Sequence, residues 1–439
     1  MLRTIIKREI LEYLKSAKFL VGLLIAIVLT AASTALNVQD YVTRHQDYLD
    51  AKKEYKSNNF EIVLFREPQV LSAFARGKDR DMGSQTKMSV MNAPGPLTGY
   101  MGDEPGKSPS FAGFSAVDLA FIIRVVLSLL AVFLAYNAVS EEKANGTLKL
   151  ALSNAVPRDK LLLGKLVSGL AAVVGPLAVV ALLSSIILIL HPGVSLSADD
   201  LVRIGLMFVV SIVYLSVFYA LGLFVSVKTE RPAVSLMILL QAWVFLVVLY
   251  PNLSVTVAER ISPLPSEEVL AKQKDAVVER HDADIKKANE GLHKVPPTSE
   301  DRLRFNDAWS AEAADFDQIE GEFSRRQTAQ AKLAEALSVL SPAAVYDQLM
   351  GRLGRTDIRE YDRFMDDAHR LWLKHIERAR LRYRDEDAYK RTPLPDFSHP
   401  PESAGEAAAS VWPQVIILVL FGLIFFALAY TGFLRKDLR

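Results

Sequence analysis

The fold is decided by the stretch Ser140-Glu-Glu-Lys-Ala-Asn-Gly-Thr-Leu-Lys-Leu-Ala-Leu-Ser-Asn-Ala-Val-Pro-Arg-Asp-Lys-Leu-Leu-Leu-Gly-Lys165 and by what flanks it. This charged segment separates two long apolar runs, Leu119–Ala138 and Leu166–Leu190. About 20 apolar residues in a helix cross the ~30 Å hydrocarbon core of a bilayer. Both runs reach that length, and their apolar residues are bunched rather than spaced along one helix face. The stretch therefore predicts a short polar connection between two membrane spans.

The rest of the chain repeats this pattern. Of its 439 residues, 51% are hydrophobic, which is high for a soluble protein. Six apolar runs meet or approach the spanning length, and we place the spans at 19–36, 118–138, 166–190, 204–227, 233–250 and 411–434. The sequence thus predicts an all-α polytopic membrane protein with six transmembrane helices.

The distribution of Lys and Arg predicts the orientation. Basic residues are concentrated before the first run, in the connection 139–165, between the fourth and fifth runs, and in the tail 435–439. The short segment His191–Val202, between the third and fourth runs, has neither Lys nor Arg and carries Asp199 and Asp200. Because basic loops stay in the cytoplasm, we place both termini there. Residues 1–18 then form a cytoplasmic amphipathic elbow helix, and the long segments 37–117 and 251–410 lie outside.

The two outer segments differ in character. The first begins with a helical pattern over Tyr41–Lys56 and continues into a Gly-, Pro- and Met-rich tract, Met82–Gly113, that is typical of a loop. The second is mostly helical, with aromatic and aliphatic residues over Ala343–Arg384 at spacings suited to a buried face. We expect a mainly helical extracytoplasmic domain built from both segments. Long flexible loops are the alternative, which the need to bury the aromatic residues disfavours.

Several kinds of chemistry find no support in the sequence. There is no cysteine, and no phosphate-binding loop of the Gly-x-x-x-x-Gly-Lys-Ser/Thr type. His369 and His375 lie six apart, so they fall on different helix faces and do not suggest a metal site. A net charge of +1 gives no reason to expect nucleic acid as a partner. We predict no catalytic residue, no metal and no cofactor in this chain.

Two charged residues lie at or inside the predicted second span. Asp118 stands at its outer start, and Arg124 lies about six residues deeper. An ionisable group in hydrocarbon is costly, so it usually faces protein or water. Arg124 either lines a translocation path or pairs with a partner subunit, or it reaches the outer interface or an acidic residue of the outer segments. The sequence leaves these alternatives open.

The charged stretch carries a family resemblance. Its successive pieces are Glu-Glu-Lys-Ala-Asn-Gly-Thr-Leu, Leu-Ser-Asn-Ala-Val-Pro-Arg and Leu-Leu-Leu-Gly-Lys. In this order they resemble the coupling signature of ABC-2 type ABC transporter permeases. Ala155 stands where the family often has proline. The large insertion before the last span, with Leu340-Ser-Pro342, Thr356-Asp357 and Phe364, is similar to a subgroup with a helical extracytoplasmic insertion there.

The resemblance implies a set of partners and sites. It implies a complex of two permease subunits, identical or different, with two ABC ATPase subunits that bind ATP and Mg²⁺. It also implies a multi-pass protein of the bacterial inner membrane that contacts lipid and, through its outer domain, a periplasmic or envelope protein. The residues that match the ATPase-coupling segment are Glu141, Glu142, Gly146, Thr147, Leu148, Pro157, Arg158 and Lys165.

The sequence therefore predicts the permease subunit of an ATP-driven exporter or envelope-remodelling complex. One alternative is a membrane scaffold or sensor whose outer helical domain acts without transport. A membrane enzyme is the other alternative, but it would need an acid–base cluster at the membrane surface, which we do not find in the sequence.

Overall fold

The structure is a computed structural model that describes residues 2–55, 61–80, 83–95, 117–153, 157–293 and 296–435. Helices dominate the described residues, and six of them are long and apolar enough to cross a membrane. This confirms the prediction of an all-α polytopic membrane protein. The six candidate spans are Ala17–Glu54, Leu119–Ala144, Arg158–Leu190, Ala198–Lys228, Pro232–Ile261 and Ala404–Leu434. Position 155 of the family signature, residues 436–439 of the tail and most of the tract 82–113 lie outside the described residues.

Single helices form the first, third, fourth and sixth spans, whereas the second and fifth contain a π-helical turn. The N-terminal helix, the spans and the short helices that connect the second and third spans are α1 (Leu2–Lys15), α2 (Ala17–Glu54), α3 (Leu119–Phe121), α4 (Ser128–Ala135), α5 (Ser140–Ala144), α6 (Thr147–Ser153), α7 (Arg158–Leu190), α8 (Ala198–Lys228), α9 (Pro232–Val244), α10 (Tyr250–Ile261) and α16 (Ala404–Leu434). The π-helical turns are Ile122–Leu127, between α3 and α4, and Phe245–Leu249, between α9 and α10.

The chain turns sharply between α1 and α2 at Ser16. Its backbone is extended, and its hydroxyl accepts a hydrogen bond from the Phe19 amide at 3.2 Å, which caps the start of α2. The same hydroxyl donates to the Tyr13 carbonyl at 2.9 Å. Because one side chain satisfies a backbone group on each helix, α1 ends and α2 begins at this residue. The predicted elbow at 1–18 and first span at 19–36 fall on these two helices, and α2 continues to Glu54.

Helix α8 lies at the centre of the bundle. In the most apolar 18-residue stretch of α8, 67% of the residues are buried, against 11% in that of α16 and 22% in that of the fifth span. α8 and the second span meet backbone to backbone at Gly222, where a Cβ atom would lie 2.4 Å from the Ala135 Cβ. A glycine is therefore required for this approach. The second and fourth spans are thus in close contact at this point.

Beyond the spans, both outer segments contribute to one hydrophobic core. The second segment supplies α11 (Glu267–Leu292), α12 (Ser299–Ser338), α13 (Pro342–Gly354), α14 (Ile358–Arg384) and α15 (Glu386–Arg391). From the first segment come the antiparallel strands β1 (Ile62–Phe65) and β2 (Gln85–Met88), paired Ile62 with Met88 through Phe65 with Gln85. Leu64 and Met88 pack there against Phe364 and Trp372 of α14. Residues 85–88, which the sequence predicts to be part of a loop, are thus a strand whose last residue, Met88, lies in this core.

Helix α13 does not stay with the other outer helices. Ten of its 13 residues are buried, and it packs against α8, α16 and both π-helical turns. Its Ser341 hydroxyl, at the start of the helix, donates to the Leu246 carbonyl inside the fifth span. Part of the segment 251–410 is therefore enclosed by the outer ends of the spans.

Candidate functional site

The polar segment between the second and third spans is fixed to α8 through its backbone. The Ser226 hydroxyl of α8 accepts hydrogen bonds from the Val139 and Ser140 amides, both at 3.0 Å. These amides begin α5 and have no partner within their own helix. In the other direction, the Lys143 ammonium donates to the Val227 carbonyl and, at 3.0 Å, to the Thr229 carbonyl. A displacement of α5 is therefore transmitted directly to the inner end of α8.

Lys165 is the centre of a buried ion cluster. Its ammonium lies 2.8 Å from Glu9 of α1 and 2.9 Å from Glu142 of α5. The side chain is 3% exposed, and Glu9 and Glu142 are 12% and 29% exposed. Buried charges are tolerated only when they are paired and hydrogen-bonded. One lysine thus joins the elbow helix, the polar segment and the third span.

Two tyrosines extend this cluster on the membrane side. The Tyr219 hydroxyl of α8 donates to the Lys165 carbonyl at 2.9 Å and lies 3.0 Å from the Tyr13 hydroxyl of α1. The ring of Tyr219 is completely buried and lies against Gly169, where a Cβ atom would come within 1.7 Å of it. Only glycine leaves room for this ring. The ring in turn holds α1 against α7 and α8.

The predicted coupling residues divide into exposed and buried groups. Leu148 and Lys165 are buried, Leu148 in a cluster with Leu161 and Phe433. Glu142, Gly146 and Arg158 are half-buried, and the Arg158 guanidinium donates to the Leu434 carbonyl at the end of α16 at 3.0 Å. The remaining predicted residues, Glu141, Thr147 and Pro157, are exposed.

An exposed strip therefore remains on a rigidly held segment. Gly146 turns the chain between α5 and α6 with φ of +72°, a conformation that favours glycine. Next to it, Leu150 of α6 is 66% exposed although it is apolar. We call Glu141, Thr147, Leu150 and Pro157 the cytoplasmic strip, after the side of the membrane that the sequence predicts for this segment. It offers an incoming protein a carboxylate, a hydroxyl and an apolar side chain on a fixed support.

A second polar cluster lies in the outer part of the bundle. Arg124, in the π-helical turn of the second span, forms an ion pair with Asp347 of α13. Tyr346, the neighbour of Asp347, stacks on Tyr214 of α8 at 4.3 Å and hydrogen-bonds the Ser211 hydroxyl at 2.9 Å. The Tyr214 hydroxyl donates to the Arg124 carbonyl at 2.9 Å. Among the alternatives for Arg124, the structure thus gives a contact with an acidic residue of the outer segment.

This outer cluster is only partly enclosed. The side chains of Arg124 and Asp347 remain 25% and 40% exposed, and the Arg124 Nε atom is buried without a hydrogen-bond partner among the described residues. Both π-helical turns lie against α13 at this cluster. Such wide turns often mark functional sites in helices. The exposed side of the ion pair needs water or another protein because hydrocarbon would not solvate it.

Asp118 has a structural position next to this cluster. Its carboxylate accepts a hydrogen bond from the Phe121 amide at 2.6 Å and caps α3. The Arg76 amide, from the first outer segment, donates to the same carboxylate at 2.8 Å. Asp118 therefore fixes the outer start of the second span to the outer domain and does not pair directly with Arg124 among the described contacts.

Sequence reasoning missed the ion network that anchors α13 from outside. Arg203 of α8 is wholly buried and donates to Asp199, to the Leu353 carbonyl and to the Glu402 carbonyl at 2.9, 3.0 and 2.6 Å. Arg355, just after α13, binds Asp199 as well. The only sequence signal was an arginine inside a predicted connection next to the fourth apolar run. Among the described residues, no group of three or more His, Asp or Glu side chains is placed to hold a metal ion.

Comparison with known proteins adds one match. A family model described as ABC-2 family transporter protein matches residues 3–438, which is nearly the whole chain. No curated protein matches the chain. The family match includes the outer segments as well as the spans.

Proposed function

This chain belongs to the ABC-2 family of transporter proteins and is a multi-pass membrane subunit of an ABC transporter, and from that premise we propose that it exports its substrate with energy from a separate ATPase. In this proposal the ATPase docks on the cytoplasmic strip, both termini lie in the cytoplasm, and the membrane is the bacterial inner membrane. ATP and Mg²⁺ bind to the partner, and this chain supplies the path.

The observation that carries the proposal is the attachment of the cytoplasmic strip. Exposed groups for docking lie on α5, on α6 and at Pro157 just before α7. Ser226 and Lys143 attach α5 to α8, and Lys165 attaches it to α1 and α7. The buried Leu148 holds α6 in a hydrophobic cluster with α7 and α16. A short helix that merely joined two spans would not need these attachments. The arrangement suits a segment that receives force and passes it on.

Helix α8 offers a direct route for that force. Ser226, at the inner attachment, and Ser211, which contacts α13, are both on this helix. The 15 residues between them correspond to about 22 Å at 1.5 Å per residue. A shift of α8 driven from the cytoplasm would disturb the packing of Tyr346 and the Arg124–Asp347 pair. We propose that this loosens α13 and opens the outer end of the path.

The partly exposed ion pair indicates where the path lies. Arg124 and Asp347 need water or protein on their open side. We propose that a second permease subunit faces this side and that the substrate passes between the two. The subunits are identical or different in this arrangement, and the outer domain contacts an envelope protein or the released substrate.

Co-purification with the candidate ATPase tests the docking site. Glu141→Lys and Leu150→Asp change exposed side chains, so we expect them to reduce ATPase association without lowering the unfolding temperature. Glu386→Lys makes the same charge reversal on exposed α15, beyond the spans, and serves as the control.

If both strip variants associate with the ATPase as strongly as the wild-type protein does, the proposed docking site is wrong. If no ATPase co-purifies with the wild-type protein, the scaffold or sensor alternative is favoured. A transport measurement is not required for either result.

A further inference from the structure

A cavity of about 740 Å³ opens in the outer domain, and Arg355 of the ion network described above lies on its wall. Its other walls come from the outer part of α2, the run Val63–Val70, the start of α14 and the connection 396–401 that precedes the last span. Cavities of ~300–1,000 Å³ are the usual size for bound small ligands. Because both outer segments and two span ends meet here, an occupant would contact parts that transport is proposed to move.

One wall of the cavity is the free edge of strand β1. In the antiparallel pair, the Arg66 amide donates to the Ser84 carbonyl at 2.7 Å, on the side of β2. Successive residues of a strand point their backbone groups in alternate directions. Val63 and Phe65 therefore direct their N–H and C=O groups away from β2. The register of the pair, Val63 with Lys87 and Phe65 with Gln85, agrees with this assignment.

The Tyr55 side chain already makes hydrogen bonds to part of this edge, as the backbone of a neighbouring strand would. The Tyr55 hydroxyl accepts from the Val63 amide at 2.8 Å and donates to the Glu61 carbonyl at 2.7 Å. Beyond it, the Val63 carbonyl and both backbone groups of Phe65 have no hydrogen-bond partner among the described residues. Val63 and Phe65 both line the cavity, so this edge of β1 forms part of its wall. Unpaired strand edges are the usual template for an added strand.

The other walls supply places for side chains. Tyr41 is 4% exposed, and its hydroxyl has no hydrogen-bond partner among the described residues although it lines the cavity. Phe364 and Phe397 form an edge-to-face aromatic pair on the opposite wall, with ring centres 5.2 Å apart. Lys52, which hydrogen-bonds the Tyr48 hydroxyl at 3.2 Å, and Asp396 add one charge of each sign. Arg355 and Glu360, each held in an ion pair, add further charges to the walls. The cavity therefore combines aromatic surface with charges of both signs.

We propose that this cavity binds an extended polypeptide segment, which adds to β1 as a new strand. The free backbone groups recur every second residue, about 6.8 Å apart in an antiparallel strand. Another strand matches that spacing, and strand addition of this kind gives affinity through the backbone and specificity through side-chain pockets. A lipid chain would leave the edge unpaired. The bound segment belongs to a protein on the outer side.

Peptide binding to the whole protein in lipid nanodiscs tests the proposal. The probe is a heptapeptide selected from a random phage-displayed library, with an unrelated membrane protein in nanodiscs used to remove non-specific binders. Affinity is then measured by fluorescence anisotropy with the synthetic peptide and with copies methylated at alternate backbone nitrogens. We expect one of the two methylation patterns to lower affinity about tenfold or more, since it removes the hydrogen bonds that a paired strand makes.

Two substitutions at one position separate backbone pairing from ring contacts. Phe65→Ala and Phe65→Pro both remove the ring, but only proline removes the N–H. Proline is tolerated on an edge strand, and the Phe65 amide makes no bond to β2, so both variants should fold. We expect Phe65→Pro to bind the peptide about tenfold more weakly than Phe65→Ala. The proposal is overturned if the library yields no specific peptide, if both methylation patterns leave affinity unchanged, or if the two variants bind equally.

Discussion

The close packing of Tyr219 on Gly169 predicts a large effect from adding a single methyl group. In Gly169→Ala, the new Cβ would lie 1.7 Å from the Tyr219 Cζ atom and 1.9 Å from its hydroxyl oxygen. Ordinary contacts between such atoms are about 3.5 Å or longer. The Tyr219 ring is completely buried, so it has no open space into which to turn. Either the ring or helix α7 must move.

The magnitude follows from what that movement breaks. Overpacking of this kind costs about 1–3 kcal/mol. Tyr219 also loses its hydrogen bonds to the Lys165 carbonyl and the Tyr13 hydroxyl, at about 0.5–1.5 kcal/mol each. Alanine is more favourable than glycine in a helix by up to about 1 kcal/mol, which offsets part of this loss of stability. We expect a net destabilisation of about 3 kcal/mol.

Helix α8 provides a matched control. At Gly205, in the interior of α8, a Cβ atom would meet nothing within 4 Å. Gly205→Ala should therefore be neutral or stabilising by up to about 1 kcal/mol. In thermal unfolding followed by size-exclusion chromatography in detergent, we expect the two variants to differ on the order of 5–10 °C.

Equal unfolding temperatures for the two variants would refute the packing described here. A second comparison removes the ring. In a Tyr219→Ala background, Gly169→Ala should cost little, because its Cβ would enter the emptied space. If Gly169→Ala remains as destabilising in that background, Tyr219 is not the obstacle.

Three further predictions concern the charged clusters. Lys165→Met leaves its two carboxylate partners without a cation, and we expect a loss of about 3–5 kcal/mol in thermal unfolding, relieved when both partners are changed to Gln. Arg124→Met leaves Asp347 unpaired and should cost about 1–3 kcal/mol, with Asp347→Asn in the same protein recovering most of it; no recovery would show that the pair is not coupled. The hydrogen bond to Asp317 raises the pKa of His369 above its usual 6.5, so the protonated pair stabilises the outer domain fully below that pH, and the stabilisation is lost as pH rises through the raised pKa. His369→Gln should flatten this part of the pH profile of unfolding, and an unchanged profile would exclude the pair as its source.

The spans were predictable because the bilayer fixes their length and composition. Runs such as Leu166–Leu190 need about 20 apolar residues whatever they pack against. The position of α13 was not predictable on this basis. Its apolar residues, including Leu349 and Leu353, indicate a helix with one buried face. The pattern does not show whether that face packs against other helices of the outer domain or against the spans.

The sequence located the polar segment 139–165, but it did not show which of its residues are buried in the protein and which are exposed for docking. Lys165 is part of the family signature, which suggests a contact with the ATPase, yet it is buried between two carboxylates. One of these, Glu9, is 156 positions away in the chain. No local sequence pattern predicts such an ion pair, because the pair forms only when α1 folds back at Ser16. Likewise, Arg124 was evident as a charge in a span, whereas Asp347 looked like an ordinary residue of an outer helix.

The length of α2 has a mechanical consequence. Its 38 residues run from the turn at Ser16 to Glu54 without a proline or a π-helical turn, and its outer end lines the cavity beside β1. A straight helix of this length extends about 57 Å, so a tilt of about 5° around its inner end would swing the outer end by about 5 Å. The helix would therefore amplify a small movement of the elbow into a larger displacement of its outer end. That displacement would be as wide as the spacing between neighbouring strands.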